Sequence, residues 1–329
     1  MNREQYCKFL INGLSFHQKN VRFCTTLQMG PVISEYKETP EDLAKKIINL
    51  RKNIQNNIID NKIPTECENC IYRKQENYNT NKITQIYLYY WYHCNCSCFY
   101  CSYRDETKGE YSDKKKEGNN KIYKTLKELY KYNQVDKENL IVNFGGGELG
   151  VLKEFPKLID FFLKNNVQHI WFESSGISYS KAVEKVLKNG KGVITVAVCS
   201  GSPEIYKQIK RRDKYKKVMD NLRRYVIAAS KYKNDIFNIY NVVSKYIILK
   251  GFNDNKEEVE KWLLESKRIG LKQVEISMEF CWGIQTKAGQ KIEEYNYELF
   301  DFAEKKCTEL GLKLNKNLTS LDLMKKGVY

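Results

Sequence analysis

The sequence predicts an α/β fold, a partial (β/α)6 barrel of parallel strands preceded by a small cysteine-rich module. From residue 83 onward, short apolar runs alternate with amphipathic helical stretches, the pattern of repeated βα units around a parallel sheet. Gly190 and Gly270 fall where two of the helical stretches should stop. Ahead of the first unit lie Cys7, Cys24, Cys67 and Cys70, the last two in the C-x2-C spacing of a metal knuckle.

In chain order, Phe9 to Phe16 and Val21 to Thr25 read as a hairpin turning at Gln18-Lys-Asn20, and Glu41 to Asn57 as a helix. Six strands are expected: Ile83 to Trp91, Leu140 to Phe144, Gln168 to Glu173, Gly192 to Cys199, Asn238 to Leu249 and Gln273 to Phe280. The intervening helices are expected near Lys121 to Tyr132, Lys153 to Asn165, Tyr179 to Asn189, Lys214 to Lys231 and Lys256 to Ile269. Asp105 to Lys121, with three consecutive lysines among Gly, Ser and Asn, reads as a flexible insertion. The expected domains are residues 1–80 for the cysteine-rich module, 81–290 for the barrel core and 291–329 for a helical extension.

A chain of 329 residues can bury a full core. No run of 18 apolar residues occurs, and the charged start lacks the apolar stretch of a signal peptide. The expectation is a cytoplasmic protein with no membrane span. In a compartment that keeps thiols reduced, the 11 cysteines read as metal ligands before disulfides. The formal charge of +16 would suit a polyanion, but the lysines are spread along the chain and no nucleic-acid recognition motif is present. Nucleic acid is therefore discounted as a partner.

Chemistry concentrates at strand ends. Cys94, Cys98 and Cys101 form C-x3-C-x2-C directly after the first barrel strand, with Tyr100 before the last cysteine. Three thiolates select zinc, copper(I) or an iron-sulfur cluster, and a cube held by three cysteines keeps one iron open. The second strand runs into Gly145-Gly146-Gly147-Glu148, where residues without Cβ let the backbone approach a ligand.

The cysteine loop and the Gly-Gly-Glu that follows one βα unit later resemble the radical S-adenosylmethionine (radical SAM) enzymes, with Leu149 where that family often has proline. The resemblance implies a partial TIM barrel and a [4Fe-4S] cluster on Cys94, Cys98 and Cys101 whose open iron chelates SAM. It implies cofactor contacts from Tyr100, Gly146 and Gly147, with Glu148 accepting from the SAM ammonium. Ser174 and Ser175 stand where relatives carry Thr-Asn, and Val196 to Glu204 is similar to a Ser-Val-Asp-Ser-Gly-Ser/Thr-Pro-Glu segment, with Ala197 for serine and Cys199 for aspartate. Ser200 and Ser202 are the candidates kept from that segment, and Lys210 falls where an arginine often pairs with the methionine carboxylate. Lys245, in the family-like Lys-Tyr-Ile-Ile-Leu stretch, either reaches the cofactor or is solvated on an edge strand. Glu275, Ser277 and Glu279 share one strand face, either turned inward to substrate or outward to solvent.

The amino-terminal cysteines, Cys7, Cys24, Cys67 and Cys70, suit a tetrahedral zinc site or a second, auxiliary [4Fe-4S] cluster. Their wording resembles the SPASM or twitch modules of radical SAM enzymes, which usually follow the core. Cys96 has the wrong spacing for a regular ligand and is expected to pack beside the cysteine loop; Cys199, Cys281 and Cys307 default to small buried hydrophobes, although Cys199 and Cys281 at strand ends could donate a hydrogen atom to a substrate radical. The function expected is radical hydrogen abstraction from a peptide, small-molecule or carbohydrate-type substrate, for oxidation, cross-linking or epimerisation, with a flavodoxin or ferredoxin-type reductant. The rivals are a glycyl-radical activating enzyme and a zinc-bound nucleic-acid-binding protein.

Overall fold

The computed structural model describes residues 7–25, 30–59, 64–68, 80–101, 116–230, 239–278 and 298–317. The chain divides into two compact units, each discontinuous in sequence: Met1–Tyr92, Glu110–Gly146 and Glu154–Ile170 form the first, and His93–Gly109, Gly147–Lys153 and Trp171–Tyr329 the second.

The first unit opens with α1 (Lys8–Asn12), β1 (Gly13–His17), β2 (Val21–Phe23), β3 (Val32–Ser34) and α2 (Pro40–Ile59). It continues with β4 (Gln85–Tyr89), α3 (Lys116–Lys131), β5 (Ile141–Phe144) and α4 (Phe155–Lys164). Its strand order is β5-β4-β1-β2-β3. β1 pairs antiparallel with β2 but parallel with β4, Gly13 opposite Gln85 and His17 opposite Tyr89. Residues ahead of position 80 thus share a sheet with β4 and β5. The expected hairpin exists, but it starts at Gly13, because Phe9 to Asn12 are helical. α3 begins at Lys116, so the end of the expected insertion is helix.

β6 (His169–Ser174) leads into the second unit, which holds α5 (Lys181–Lys188), β7 (Gly192–Ala197), α6 (Pro203–Lys210) and α7 (Tyr215–Ala229). Then follow β8 (Val242–Ile248), α8 (Lys256–Arg268), β9 (Gln273–Met278), α9 (Glu298–Leu310) and β10 (Lys313–Asn317). The strand order is β10-β9-β8-β7-β6, and β7–β8, β8–β9 and β9–β10 are all parallel. This is an α/β fold with a mostly parallel sheet. Each helix is punctuated by local chemistry. Ser180 and Asn255 accept backbone N–H groups of the first turns of α5 and α8, and Gly190 and Gly270, both with positive φ, end α5 and α8. Trp262 on α8 anchors the packing against β8 and β9: it is fully buried among Tyr246, Ile248, Val274 and Ile276, and its indole N–H donates to Ser244 Oγ at 2.8 Å. Within the expected helical extension, α9 is followed by a strand, β10, which takes the edge beside β9.

Candidate active site

The cysteine loop is tied to the C-terminal end of α6. The amides of Ser97 and Phe99 donate to the carbonyls of Lys210 (3.2 Å) and Ile209 (3.3 Å), and Arg212 Nε donates to the Asn95 carbonyl at 2.9 Å. Phe99 stacks on Phe252 with centroids 4.5 Å apart. Cys94 is exposed, and Cys96, Cys98 and Cys101 are half-buried. The hydrogen bond with Cys94, then burial, pushes the Cys96 thiol up to about 11 against the pull of the Lys210 ammonium. The hydrogen bond with Cys96 and burial likewise raise Cys98. Cys96, predicted to pack beside the ligands, sits between two of them. Among the described residues no three His, Cys, Asp or Glu side chains already converge as a metal site. The donor set nevertheless fits an iron-sulfur cluster: three cysteines at C-x3-C-x2-C spacing on one anchored loop, with Cys94 exposed and the other two half-buried.

Tyr100 and Lys210 meet directly. Lys210 is almost wholly buried and its ammonium donates to the Tyr100 hydroxyl at 2.7 Å, which leaves the Tyr100 O–H free to point at Cys199 Sγ, 3.4 Å away. Cys199 is buried in the left-handed region at φ 60°, its carbonyl accepting from Asn253 Nδ2 at 2.7 Å. This strained backbone is held from several sides.

The Gly-Gly-Glu segment is equally specified. Gly146 has φ 102°, and a Cβ there would lie 2.6 Å from the Trp91 carbonyl oxygen. Glu148 is 1% exposed. Its two carboxylate oxygens accept from Ser174 Oγ at 2.8 Å and from both the amide (2.7 Å) and hydroxyl (2.6 Å) of Ser175. Burial raises its pKa, and the serine bonds offset part of that rise. The Ser175 hydroxyl also lies 3.3 Å from Asn95 Oδ1, while Asn95 Nδ2 donates to Ser178 Oγ. The serines expected to face ribose or substrate are therefore committed to Glu148, whose amide donates to the His93 carbonyl at 2.8 Å at the start of the cysteine loop, with Asn95 of that loop beside Ser175. Asn95 was not singled out from sequence; its only signal was its place between Cys94 and Cys96.

Ser200 Oγ donates to the Ser202 carbonyl at 2.6 Å, and Ser202 Oγ donates to Glu258 Oε1 at 2.8 Å. Both hydroxyls build the turn ahead of α6. Lys245 is not on an edge strand, since β8 lies between β7 and β9. Its ammonium pairs with Glu275 at 2.8 Å. Glu275 and Ser277 are buried, which corrects the solvated-stripe alternative for those two positions. Glu279 and Cys281 lie outside the described residues, as does Cys70. Of the other amino-terminal cysteines, Cys24 and Cys67 are buried and Cys7 half-buried.

The family model of the Radical SAM superfamily matches residues 88–264, more than half of the chain, and the chain belongs to that superfamily. Membership implies a [4Fe-4S] cluster and SAM as cofactors. A search of curated proteins finds no match. Among solved structures, SuiB from Streptococcus suis bound to S-adenosylmethionine aligns at TM-score 0.54 with 10% identity, over 87% of this chain and 57% of SuiB. SuiB bound to precursor peptide SuiA aligns at TM-score 0.54 with 10% identity, over 84% of this chain and 54% of that one. The likeness is one of fold, and the chain spans little more than half the length of SuiB.

Proposed function

We propose that this chain is a radical SAM enzyme in which Cys94, Cys98 and Cys101 hold the [4Fe-4S] cluster and Glu148 receives the SAM ammonium. The observation that carries the reading is the buried Glu148, its carboxylate fixed by Ser174 and Ser175 and its amide donating to the carbonyl of His93 at the start of the cysteine loop at 2.8 Å. When bound, the cluster and SAM supply reductive cleavage of the sulfonium to a 5'-deoxyadenosyl radical, which abstracts hydrogen from substrate.

The chain's own residues prepare that step. Ser174 and Ser175 fix the orientation of Glu148 and supply part of the hydrogen bonding that burial removes. Oε2 already accepts twice from Ser175, so Oε1 is the oxygen that a further donor such as an ammonium would meet. Gly146 and Gly147 bring backbone against the cofactor, and Tyr100, gripped by Lys210, fixes the end of the cysteine loop. Lys210 acts in this reading through Tyr100, with Arg212 beside it as the exposed cation able to meet a carboxylate. Ser200 and Ser202 shape the turn that begins α6, and Lys245 faces the substrate side. The substrate class is a peptide or a carbohydrate-type small molecule, and the electron comes from a flavodoxin or ferredoxin-type donor. Precursor peptide SuiA bound to SuiB is the precedent in the same fold. Cys7, Cys24, Cys67 and Cys70 are assigned to an auxiliary cluster in a SPASM-like module. With the family established, the zinc-bound nucleic-acid-binding reading is not carried further.

The test is anaerobic reconstitution, counting of iron and sulfide, and assay of 5'-deoxyadenosine with dithionite and SAM, beside a C94A/C98A/C101A variant. About eight irons are expected per chain if the auxiliary cluster forms and about four if it does not. 5'-Deoxyadenosine should be lost in the variant. Undiminished 5'-deoxyadenosine in the variant would sink the ligand assignment.

A further inference from the structure

The geometry points to a subsite for a primary ammonium group of the substrate on the face of β6, β7, β8 and β9 that carries Glu173, Lys245 and Glu275. The inference deepens the proposed function, on which it rests for its place in the reaction.

The register lines these residues up. Ala197 stands opposite Lys245, Lys245 opposite Glu275 and Glu275 opposite Asn315, and paired residues of parallel strands share a face. Glu275 is saturated: it takes the Lys245 ammonium at 2.8 Å and Asn315 Nδ2 at 3.0 Å. Glu173 is different. Its carboxylate interacts electrostatically with both Lys245 and Glu275, yet among the described residues it takes no hydrogen bond and no ion pair. It keeps solvent access, although desolvation by its surroundings raises its pKa, on a strand whose neighbour Phe172 is fully buried.

Two further side chains on this face lack partners among the described residues. Thr195 Oγ1 and Ser277 Oγ are buried without a hydrogen bond, although the residues are only 6% and 5% exposed. Thr195 lies two positions before Ala197 on β7, and Ser277 two positions after Glu275 on β9, so each shares the face of the charged pair. Orphaned hydroxyls in a sheet interior are costly unless something fills them.

Charge decides the ligand. Two carboxylates face one ammonium, leaving a net negative site in a chain whose formal charge is +16. An incoming carboxylate would meet two like charges, and the lysine that might receive it is already bonded to Glu275. An ammonium would find an unmatched carboxylate in Glu173 and a neutral acceptor in one of the two hydroxyls, which lie on opposite sides of the charged layer along the strands. The position suits a substrate, because Glu173 directly precedes Ser174, whose hydroxyl donates to Glu148. The subsite therefore lies at the same strand end as the serine that fixes the carboxylate assigned to SAM.

Calorimetry on the reconstituted full chain with SAM present tests this, using N-acetyl-lysine methylamide, its uncharged counterpart N-acetyl-norleucine methylamide, and n-butylamine. The lysine probe should bind about tenfold or more tighter than the norleucine probe, the scale of one charge-assisted contact, and E173Q should erase that difference. Because Glu173 keeps solvent access, the E173Q fold is checked by an unchanged melting temperature. If n-butylamine matches the lysine probe, the ligand is a free amine; if only the lysine probe binds, it is a peptide side chain. Equal or undetectable binding of the charged and uncharged probes, or discrimination surviving in E173Q, overturns the subsite. The assay of 5'-deoxyadenosine on the same wild-type sample keeps the two readings apart. Cleavage without discrimination removes only the subsite, and discrimination without cleavage removes only the cofactor assignment.

Discussion

At the scale of single residues, the chain repeatedly buries a polar group and then assigns it a partner. Lys210 is the sharpest case, because an ammonium that is almost wholly buried receives a hydroxyl from a residue of the cysteine loop. Removing that hydroxyl strands the charge. Y100F is expected to cost about 1.5–3 kcal/mol, and Y100F/K210M should recover part of it, since an apolar pair leaves nothing unsatisfied. Urea titration of the two variants and of K210M checks the cycle, and strictly additive losses would show that the contact does not couple the two residues. The cysteine array, the Gly-Gly-Glu and most candidate side chains were legible in sequence, because their spacing is local. Their partners were not. Ser175 with Glu148, Lys210 with Tyr100, and Glu173 with Lys245 and Glu275 each join separate elements, and no periodicity reports which strand ends will meet. Ser200 and Ser202 illustrate the converse: hydroxyls that read as ligands in a motif are spent on the turn and on Glu258.

Among the elements, strands with dense apolar runs were found close to their true bounds, β5 and β7 within a few residues. Buried parallel strands advertise themselves by composition. β10 could not be read this way, since Lys313-Leu-Asn-Lys-Asn317 is mostly polar and becomes a strand because β9 offers it an edge. α1 was missed for a related reason: five residues carry too little periodicity to separate helix from strand. The turn after β5 shows how tightly an element end can be fixed. At Gly146 a Cβ would meet the Trp91 carbonyl oxygen, and φ 102° is a conformation L residues rarely adopt. G146A should therefore destabilise the protein by about 1–3 kcal/mol for the backbone alone, read as a fall in the denaturant midpoint. A variant as stable as wild type would mean that the turn relaxes freely.

For the molecule as a whole, two buried imidazoles set the response to acid. Burial, aided at His17 by Arg22, lowers His17 to about 4, and burial lowers His169 to about 4. Unfolded, each would titrate near 6.5, so the unfolded chain binds more protons throughout the interval between those values. Their stabilising effect is complete above the unfolded value and is lost as pH falls toward 4. At pH 5 each accounts for about 2 kcal/mol. Thermal melts should show stability dropping between pH 7 and pH 5, with roughly half of the slope removed in H169Q; an unchanged slope in that variant would assign the acid sensitivity elsewhere.

The place of β1 also constrains the order in which the first unit can assemble. All five of its residues are buried, with β2 on one side and β4 on the other. As the chain leaves the ribosome, β1 and β2 can close at once through their short turn. The opposite edge of β1 must then wait through the whole of α2 for residues 85–89. Until they arrive, that edge offers unpaired N–H and C=O groups to any passing strand. Closing so long a loop slows the step that seals it. The nascent stretch ahead of residue 85 therefore keeps that edge open before any part of the cysteine loop has been made.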